Sequence, residues 1–351
     1  EAIVAKAKKQ FPEKLPFVLY CKPNSKEMIG FFQRNDTLFQ VADFNEKGFV
    51  LSSFDGEKNY LIPENESEVL KFTLDKKESR VSLNEFTVVD LVAKSNFEAL
   101  VAKGIQCIKN YEFNKVVLSR KETVAVADFD LLSAFEKLVQ LYPSTFVYCF
   151  YHPKIGTWLG ATPEQLLKAN DTVFETISLA GTQKDMGSSE IIWEKKEKEE
   201  QQFVTDYIVS KLESVASEVV VTEPYSIKAG SIWHIRTDIS GRLNSDSSLQ
   251  KVIHLLHPTP AVCGLPKNSA KAFILENEPH DRHFYSGFLG ELNSSFSTNS
   301  RSSDLFVNLR CMQIEDSKAH LYMGCGITKD SIPEKEWEES VNKSMTIKKV
   351  L

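Results

Sequence analysis

The chain has 351 residues, of which 42% are hydrophobic and 26% charged, and its formal net charge is −6; this composition is typical of a globular protein with a large apolar core. Because basic residues are interspersed with acidic ones, we expect no nucleic-acid partner, and because no apolar stretch approaches the roughly 18 residues of a membrane span, we expect no membrane partner. The six cysteines include no close CxxC pair, and the first residues lack the layout of a secretory signal, so we expect reduced thiols and a cytoplasmic location.

Short antiparallel strands are predicted from residue 17 to about residue 89. Apolar and aromatic runs are broken there by Pro, Asn, Asp and Gly; the runs are FVLYCK, EMIGFFQR, DTLFQV and GFVLSSF. A helix is predicted next over SNFEALVAKGIQCIKNYEF, where apolar residues recur at helical spacing behind a Ser95 or Asn96 cap.

The rest of the chain mixes strand-like segments with two further helices. Alternation and β-branched or aromatic content predict strands in NKVVLSRKETVAV, TFVYCFYH, TWLGA, TVFETISLAGT, DLFVNLRCMQIED and AHLYMGCGIT. One helix is predicted over residues 188–216 and another over residues 333–351. The apolar stripe of the first is predicted to comprise Ile192, Phe203, Tyr207, Ile208 and Leu212. Hairpins with separate helices favour an α+β fold over a Rossmann-type alternation, and no Gly-rich nucleotide motif is present.

Each of the two later helices carries a pair of glutamates three residues apart. Glu197 and Glu200 share one helical face, and so do Glu336 and Glu339. Such pairs are either solvated surface residues or ligands of a cation, and carboxylate oxygens are the ligands that Mg²⁺ prefers. Lys343 lies one turn after Glu339, where it forms an ordinary i,i+4 ion pair or stands beside a metal site.

Two segments carry the pattern of a helix start. Ser331 and Glu334 fit a capping box with Pro333 in the first turn. In GATPEQLL, Thr162 and Gln165 fit a second box with Pro163 at the first helical position. Glu164 would then lie in a first helical turn, where it complements the helix dipole, or acts as a general acid if its pKa is raised.

Lys115 and a pair of glycines complete the candidate polar groups. Lys115 shares one face of a predicted strand with Val117 and Ser119. It is either a solvated residue at the edge of a sheet or a general base. Gly324 and Gly326 end another strand, where backbone N–H groups form a tight turn or approach an anion. The cluster of His280, Arg282 and His283 lacks zinc-ligand spacing, so no zinc site is expected there.

Seven ordered segments resemble the chorismate-utilising enzymes from about residue 97 to the C-terminus. They are NKVVLSR, GATPEQLL, SLAGT, LHPTPAVCGLPK, HDRHFYSGFLG, GCGIT and SIPEKEWEESVNK. The resemblance implies two pseudo-related antiparallel sheets stacked in a sandwich and flanked by helices. It also implies one chorismate-binding domain over residues 1–351, with a strand-rich part at 1–95 and the matching region at 96–351.

Within that family, the proline-rich segment LHPTPAV looks like the corresponding loop of the isochorismate synthases. The resemblance implies a stiff loop beside the ring-binding cleft, which loses little conformational entropy when the substrate binds. Lys115 stands where anthranilate synthases carry glutamine, and Ala180 stands where aminodeoxychorismate synthases carry a lysine. The resemblance thus implies Mg²⁺-dependent conversion of chorismate to isochorismate. The alternatives are a salicylate synthase, which also eliminates pyruvate, and a silent chorismate-binding protein.

The resemblance also implies residue roles. Lys115 is expected to activate water and Glu164 to protonate the leaving hydroxyl. Direct metal ligands are expected to be Glu200 and Glu339, with Glu197 and Glu336 acting through water. The positions expected to bind the substrate are Gly181, Thr182, His234, Tyr285, Arg310, Gly326 and Lys343.

The sequence departs from the family pattern at two positions. Gln201 stands where a histidine is common after the glutamate, and Cys263 replaces a frequent small residue. Neither change removes an expected ligand, so activity is expected to survive. Because water is the nucleophile, no amidotransferase subunit is expected. We also expect that the protein is a monomer and that its product feeds menaquinone or catecholate siderophore synthesis.

Overall fold

The computed structural model describes residues 2–74, 90–185, 191–229, 232–296 and 301–351. Within these residues the chain forms seven helices and nineteen strands. The helices are α1 (Ala2–Gln10), α2 (Leu91–Lys109), α3 (Leu131–Leu141), α4 (Lys195–Leu212), α5 (Leu249–Leu256), α6 (Lys267–Asn277) and α7 (Pro333–Lys348). No helix among them is both long and apolar enough to cross a membrane.

The strands form two antiparallel sheets. The first ten strands are β1 (Phe17–Cys21), β2 (Glu27–Gln33), β3 (Phe39–Gln40), β4 (Gly48–Ser52), β5 (Asn59–Pro63), β6 (Ser67–Thr73), β7 (Lys115–Ala125), β8 (Phe146–His152), β9 (Gly156–Thr162) and β10 (Gln165–Asn170). The others are β11 (Val173–Lys184), β12 (Ala216–Val221), β13 (Tyr225–Ala229), β14 (Ile232–Leu243), β15 (Gly264–Leu265), β16 (Phe288–Leu292), β17 (Ser302–Val307), β18 (Cys311–Glu315) and β19 (Lys318–Ile327).

The strand order explains how both sheets contribute to one site. The first sheet runs β15-β7-β19-β18-β9-β8-β1-β2-β6, and the second runs β12-β14-β11-β10-β17-β16-β4-β5-β3 with β13 beside β14. The chain passes from the first sheet to the second between Thr162, which ends β9, and Gln165, which begins β10. Pro163 and Glu164 therefore lie where the two sheets meet.

An aromatic core lies between the sheets. Phe146 of the first sheet stacks on Phe306 of the second at 4.4 Å between ring centroids, and Tyr20 contacts Phe49 at 5.2 Å. These rings are fully or almost fully buried, and each buries on the order of 150–250 Å² of surface. The α+β sandwich that the sequence predicts is confirmed, because helices cover the outer faces of two stacked antiparallel sheets.

The predicted strands up to residue 74 are present as β1 to β4, and residues 75–89 of the predicted strand region lie outside the described residues. The predicted Ser95 or Asn96 cap is wrong. Helix α2 begins at Leu91, because the Asp90 carboxylate accepts hydrogen bonds from the backbone N–H groups of Val92 and Ala93. An aspartate at this position satisfies two donors that the first helical turn leaves unpaired.

The predicted helix over residues 188–216 is shorter than expected. Helix α4 begins at Lys195, and residues 188–190 lie outside the described residues. Ile192 precedes the helix and is 84% exposed, and Phe203 is 60% exposed, so neither belongs to the buried stripe. The buried face instead combines Val204, Ile208 and Leu212 with polar Gln201 and Thr205.

Both predicted capping boxes are wrong. Ser331 Oγ accepts from the Thr328 N–H, and the cap of α7 is Ile332 without a side-chain bond, although Pro333 does lie in the first turn as predicted. No helix begins at Thr162, since its hydroxyl donates to the Val307 carbonyl and Val307 N–H donates to Glu164 O. Pairing with β17 outweighs the local helical pattern.

Candidate active site

A cavity of about 300 Å³ opens where the two sheets meet α4 and α7. Its wall combines charged side chains with a smaller apolar part. The lining residues are Lys115, Val117, Pro163, Glu164, Leu179, Ala180, Gly181, Glu197, Glu200, His234, Ala261, Val262, Tyr285, Leu309, Arg310, Gly324, Gly326, Lys335, Glu336, Glu339 and Lys343. A concave site with convergent polar groups of this kind is typical of ligand pockets.

Lys115 enters the cavity from the first residue of β7. It is only 8% exposed, and its Nζ donates to Glu200 Oε1 at 2.7 Å. The proline-rich loop holds this end of the strand, because Gly264 and Leu265 pair with Val116 and Lys115. Thus the segment predicted as a stiff loop also contains the two-residue strand β15, and the nearby residues Ala261 and Val262 line the cavity.

Glu164 lies at the crossing between the sheets and is 7% exposed. Burial raises the pKa of its carboxyl group to about 7, against the opposing effect of the cationic Lys115, Arg310 and Lys343. Desolvation penalises the ionised form of a carboxyl group, so the proton is retained up to near-neutral pH. Glu164 is therefore a carboxylic acid able to donate a proton at neutral pH.

Four glutamates line the cavity from two helices. Glu197 and Glu200 lie in the first half of α4, and Glu336 and Glu339 lie in the first half of α7. Their spacing of three residues turns each pair towards the same side of its helix. The cavity therefore has two acidic walls, each on a separate helix.

The oxygen donors of this cluster fit a magnesium ion. Glu197 Oε2 is buried and has no hydrogen-bond partner among the described residues. Oxygen atoms of Glu336 and Glu339 lie within 4.8 Å of each other and of Cys325 Sγ. Burial raises the pKa of the Cys325 thiol, and its Sγ donates to the Glu336 carbonyl, so the sulfur stays protonated. The carboxylates are the donors that suit a hard cation.

Two cations face these carboxylates. Lys343 Nζ donates to Glu339 Oε1 at 2.6 Å and to the Gly324 carbonyl at 2.8 Å. Burial opposes ionisation of Glu339, but Lys343 and Arg310 hold the pKa of its carboxyl group below the usual value. For the Arg310 side chain, no hydrogen bond or ion pair is found within the described residues, so its guanidinium is available to a ligand.

His234 and Tyr285 supply neutral polar groups. His234 Nδ1 lies 2.8 Å from the Gly181 carbonyl, which can only accept, so Nδ1 carries the proton. Burial lowers the pKa of His234 to about 4, and the ring is neutral at pH 7. The Tyr285 ring stacks on Tyr322 at 5.6 Å, and burial raises the pKa of its hydroxyl to about 12. Tyr285 therefore remains a hydroxyl donor.

Glycines let the backbone approach the charged groups closely. A Cβ at Gly326 would lie 3.2 Å from Lys115 Cε and 3.3 Å from Glu200 Oε1. Gly181 has φ +72°, which side-chain-bearing residues rarely adopt, and a Cβ there would lie 3.3 Å from Glu197 Cβ. A side chain at either position would occupy part of the cavity.

Comparisons with known proteins identify the family. A family model for chorismate binding enzymes matches residues 53–351. The chain is 30% identical over 278 residues to the isochorismate synthase EntC of Escherichia coli K12, covering 76% of this chain and 69% of that protein. It is 29% identical over 267 residues to the isochorismate synthase MenF of Pasteurella multocida, covering 72% of this chain and 60% of that protein.

The chain belongs to the chorismate-binding enzymes. The fold agrees, since the solved structure of MenF, the menaquinone-specific isochorismate synthase from Escherichia coli, superposes with a TM-score of 0.79. That match has 23% identity and covers 96% of this chain and 88% of MenF. The resemblance that the sequence motifs carry is thereby confirmed at the level of family and fold.

The structure brings almost all the residues predicted for the active site into one cavity. They are Lys115, Glu164, Gly181, Glu197, Glu200, His234, Tyr285, Arg310, Gly326, Glu336, Glu339 and Lys343. Thr182 is the exception, because its side chain lies outside the described residues. Lys335 and Leu309 also line the cavity and were not predicted, since a lysine between two glutamates and a leucine after a strand carry no pattern of their own.

Gln201 explains how α4 is held against the second sheet of this enzyme. It is 2% exposed, and its amide donates to Thr237 Oγ1 at 2.8 Å and to Thr205 Oγ1 at 2.9 Å. Thr237 belongs to β14, so the bond ties the helix to the sheet directly after Glu200. The departure from histidine at this position thus leaves a satisfied polar contact.

Proposed function

We propose that this protein is an isochorismate synthase, which converts chorismate to isochorismate. The observation that supports this most strongly is the carboxyl group of Glu164, which is buried, has a pKa raised to about 7 and shares a cavity with Lys115. An acid and an amine in one pocket suit a reaction in which one hydroxyl enters and another leaves. The EntC and MenF relatives bear the same name.

In the proposed reaction, water attacks C2 of the ring, the ring double bonds shift and the C4 hydroxyl departs. Lys115 is the proposed base that takes a proton from the attacking water, while Glu164 gives its proton to the leaving hydroxyl. One water is consumed and one is released, so the reaction is an isomerisation. A proton must then return from Lys115 to Glu164 before the next turnover.

Substrate binding follows from the charges that face the cavity. Chorismate carries two carboxylates, and Arg310 offers a planar fork of donors that has no partner among the described residues. Lys343, the Tyr285 hydroxyl and backbone groups at Gly181, Thr182 and Gly326 would complete carboxylate binding. Neutral His234 would lie beside the ring without adding charge.

Magnesium is part of the proposal. Glu200 and Glu339 would bind the ion directly, and Glu197 and Glu336 would bind it through water. The buried, unpaired Glu197 Oε2 and the all-oxygen donor set support a hard cation. When bound, the ion would supply positive charge that holds a substrate carboxylate. Glu200 Oε1 now accepts from Lys115, so metal binding and that ion pair compete for one oxygen.

We further propose that the chain acts as one chorismate-binding domain without an amidotransferase subunit. Strands from residues 17–73 lie in both sheets beside strands from the later chain, which supports a common core. A cytoplasmic location, a monomeric state and a product that feeds menaquinone or catecholate siderophore synthesis stay predictions.

A product assay tests the proposal. Purified protein is incubated with Mg²⁺ and chorismate, and the products are separated by chromatography and identified by NMR. Isochorismate as the sole product is expected. Salicylate and pyruvate without an added lyase would indicate a salicylate synthase, and bound but unconverted chorismate would indicate a silent binding protein.

A further inference from the structure

A buried ion pair lies directly behind the cavity and takes no part in the proposed chemistry. Glu278 and Arg282 have side chains only 1% and 2% exposed. Arg282 Nε donates to Glu278 Oε2 at 2.8 Å, and Nη2 donates to Oε1 at 2.5 Å, which makes the pair bidentate. The guanidinium also lies 4.4 Å from the centroid of the Phe54 ring. A pair this well held has a fixed position.

The same pair binds the backbone of β7. Arg282 Nη2 donates to the Val117 carbonyl at 2.7 Å, while Glu278 accepts from Ser119 N at 2.7 Å and Ser119 Oγ at 2.9 Å. Strand β15 pairs only with the first residues of β7, so these groups belong to an otherwise open edge. The Arg282 donor and the Glu278 acceptor thus make the hydrogen bonds to β7 that a neighbouring strand would otherwise make.

Arg282 also reaches the proline-rich loop, which pairs with the same end of β7. Its Nη1 donates to the Val262 carbonyl at 2.9 Å, in the proline-rich loop. Both Val117 and Val262 line the cavity, and Lys115 lies two residues before Val117 on the same face of β7. Beyond the backbone bond from Val117 N to the Cys263 carbonyl, one guanidinium therefore ties the strand that carries Lys115 to the loop beside it.

We infer that Arg282, held by Glu278, is a positioning residue that sets the place of Lys115 relative to the substrate. Its contribution to turnover rests on the proposed function. Lysine at position 282 keeps the charge opposite Glu278 but cannot donate to the carboxylate and to two carbonyls in one plane. The substitution R282K should therefore loosen both segments without leaving Glu278 unpaired.

The experiment compares R282K with two controls. R34K makes the same substitution at a remote arginine that also donates to two backbone carbonyls, those of Asn65 and Ser67. L138A removes buried side-chain volume from the outer core of the first sheet, and serves as a control for lost stability. We expect kcat of R282K to fall roughly ten- to a hundred-fold, with KM changed less than about three-fold, because small displacements of a catalytic group are costly.

Hydrogen exchange supplies a readout that does not depend on activity. In R282K, backbone amides of residues 115–119 and 259–265 should exchange about ten-fold faster or more, while in R34K and L138A they should not. A kcat for R282K no lower than that of L138A, or unchanged exchange in these two segments, would overturn the inference. If the wild type makes no isochorismate, the proposed function fails and exchange alone decides the positioning role.

A milder variant covers the case in which R282K does not fold. S119A removes the Oγ bond from Ser119 to Glu278, together with the 3.1 Å contact of Oγ with His280 Nε2, and leaves the backbone bond in place. We expect a fall in kcat of about three-fold in a protein that still folds, with a melting temperature only a few degrees lower, since one hydrogen bond to a charged group is lost. An S119A enzyme with wild-type kcat and wild-type exchange would overturn the inference.

Discussion

Replacing Glu164 with glutamine removes an ionisable group from the cavity while keeping the shape of the side chain. Burial raises the pKa of Glu164 from 4.5 to about 7, and each pKa unit corresponds to about 1.4 kcal/mol. In the unfolded chain the carboxyl group ionises near its ordinary pKa, and in the folded protein it keeps its proton until about pH 7. The wild type should therefore lose about 3 kcal/mol of unfolding free energy relative to E164Q between pH 4.5 and 7.

The assay is urea unfolding of both proteins, without metal, at intervals from pH 4 to pH 9. Below about pH 4.5 the carboxyl group is protonated in both the folded and the unfolded state, so the difference in unfolding free energy between the two proteins should be constant. Above about pH 7 the group is ionised in both states, and the difference should be constant again at its new value. E175Q controls for the substitution itself, because the Glu175 side chain is 60% exposed. A difference between wild type and E164Q that is flat across the whole range would refute the reasoning that burial keeps Glu164 protonated.

Three further outcomes are expected. K115A should retain its circular dichroism spectrum and melting behaviour but lose about 10²–10⁴-fold in kcat, as the loss of a general base does; near-normal turnover would show that Lys115 is not the base. G326A should reduce kcat/KM about ten-fold by pressing a Cβ against Lys115 and Glu200, and an unchanged value would mean that this pair moves freely. EDTA should stop turnover and Mg²⁺ restore it, and calorimetry should find Mg²⁺ binding in the wild type but at least about ten-fold weaker binding in E339Q; equal binding by the two would rule out Glu339 as a ligand.

The sequence was informative about the fold where the side-chain pattern reflects burial. The alternation of Lys115, Val117 and Ser119 against Val116 and Leu118 predicts β7, because strand residues point alternately to two faces. Stacking of the two sheets followed only from the family resemblance, since the contact of Phe146 with Phe306 joins residues far apart in the chain.

Local patterns failed where a tertiary contact decides the backbone. The segment from Thr162 to Gln165 has the composition of a helix start, yet the Thr162 hydroxyl donates to Val307, and Gln165 Nε2 donates to Asp304 at 2.7 Å. Both partners belong to β17, which is more than 130 positions away, so a pattern of neighbouring residues cannot predict these contacts. This contact places Glu164 between the sheets instead of in a solvated helical turn.

The sequence predicts most residues of the site but not their arrangement in space. Spacing places Glu336 and Glu339 on one side of a helix, but not opposite Glu197 and Glu200. The sequence pattern around Arg282 excludes a zinc site but does not reveal that its guanidinium joins two segments that line the cavity. Its partners are backbone carbonyls, which every residue has, so no sequence pattern reveals them.

The origin of the new hydroxyl tests the central claim most directly. Chorismate is converted in water labelled with oxygen-18, and the isochorismate is examined by mass spectrometry and carbon NMR. If Lys115 activates a water while Glu164 releases the C4 hydroxyl, the product carries one labelled oxygen, bonded to C2. Unlabelled isochorismate, or a label that stays at C4, would contradict the account.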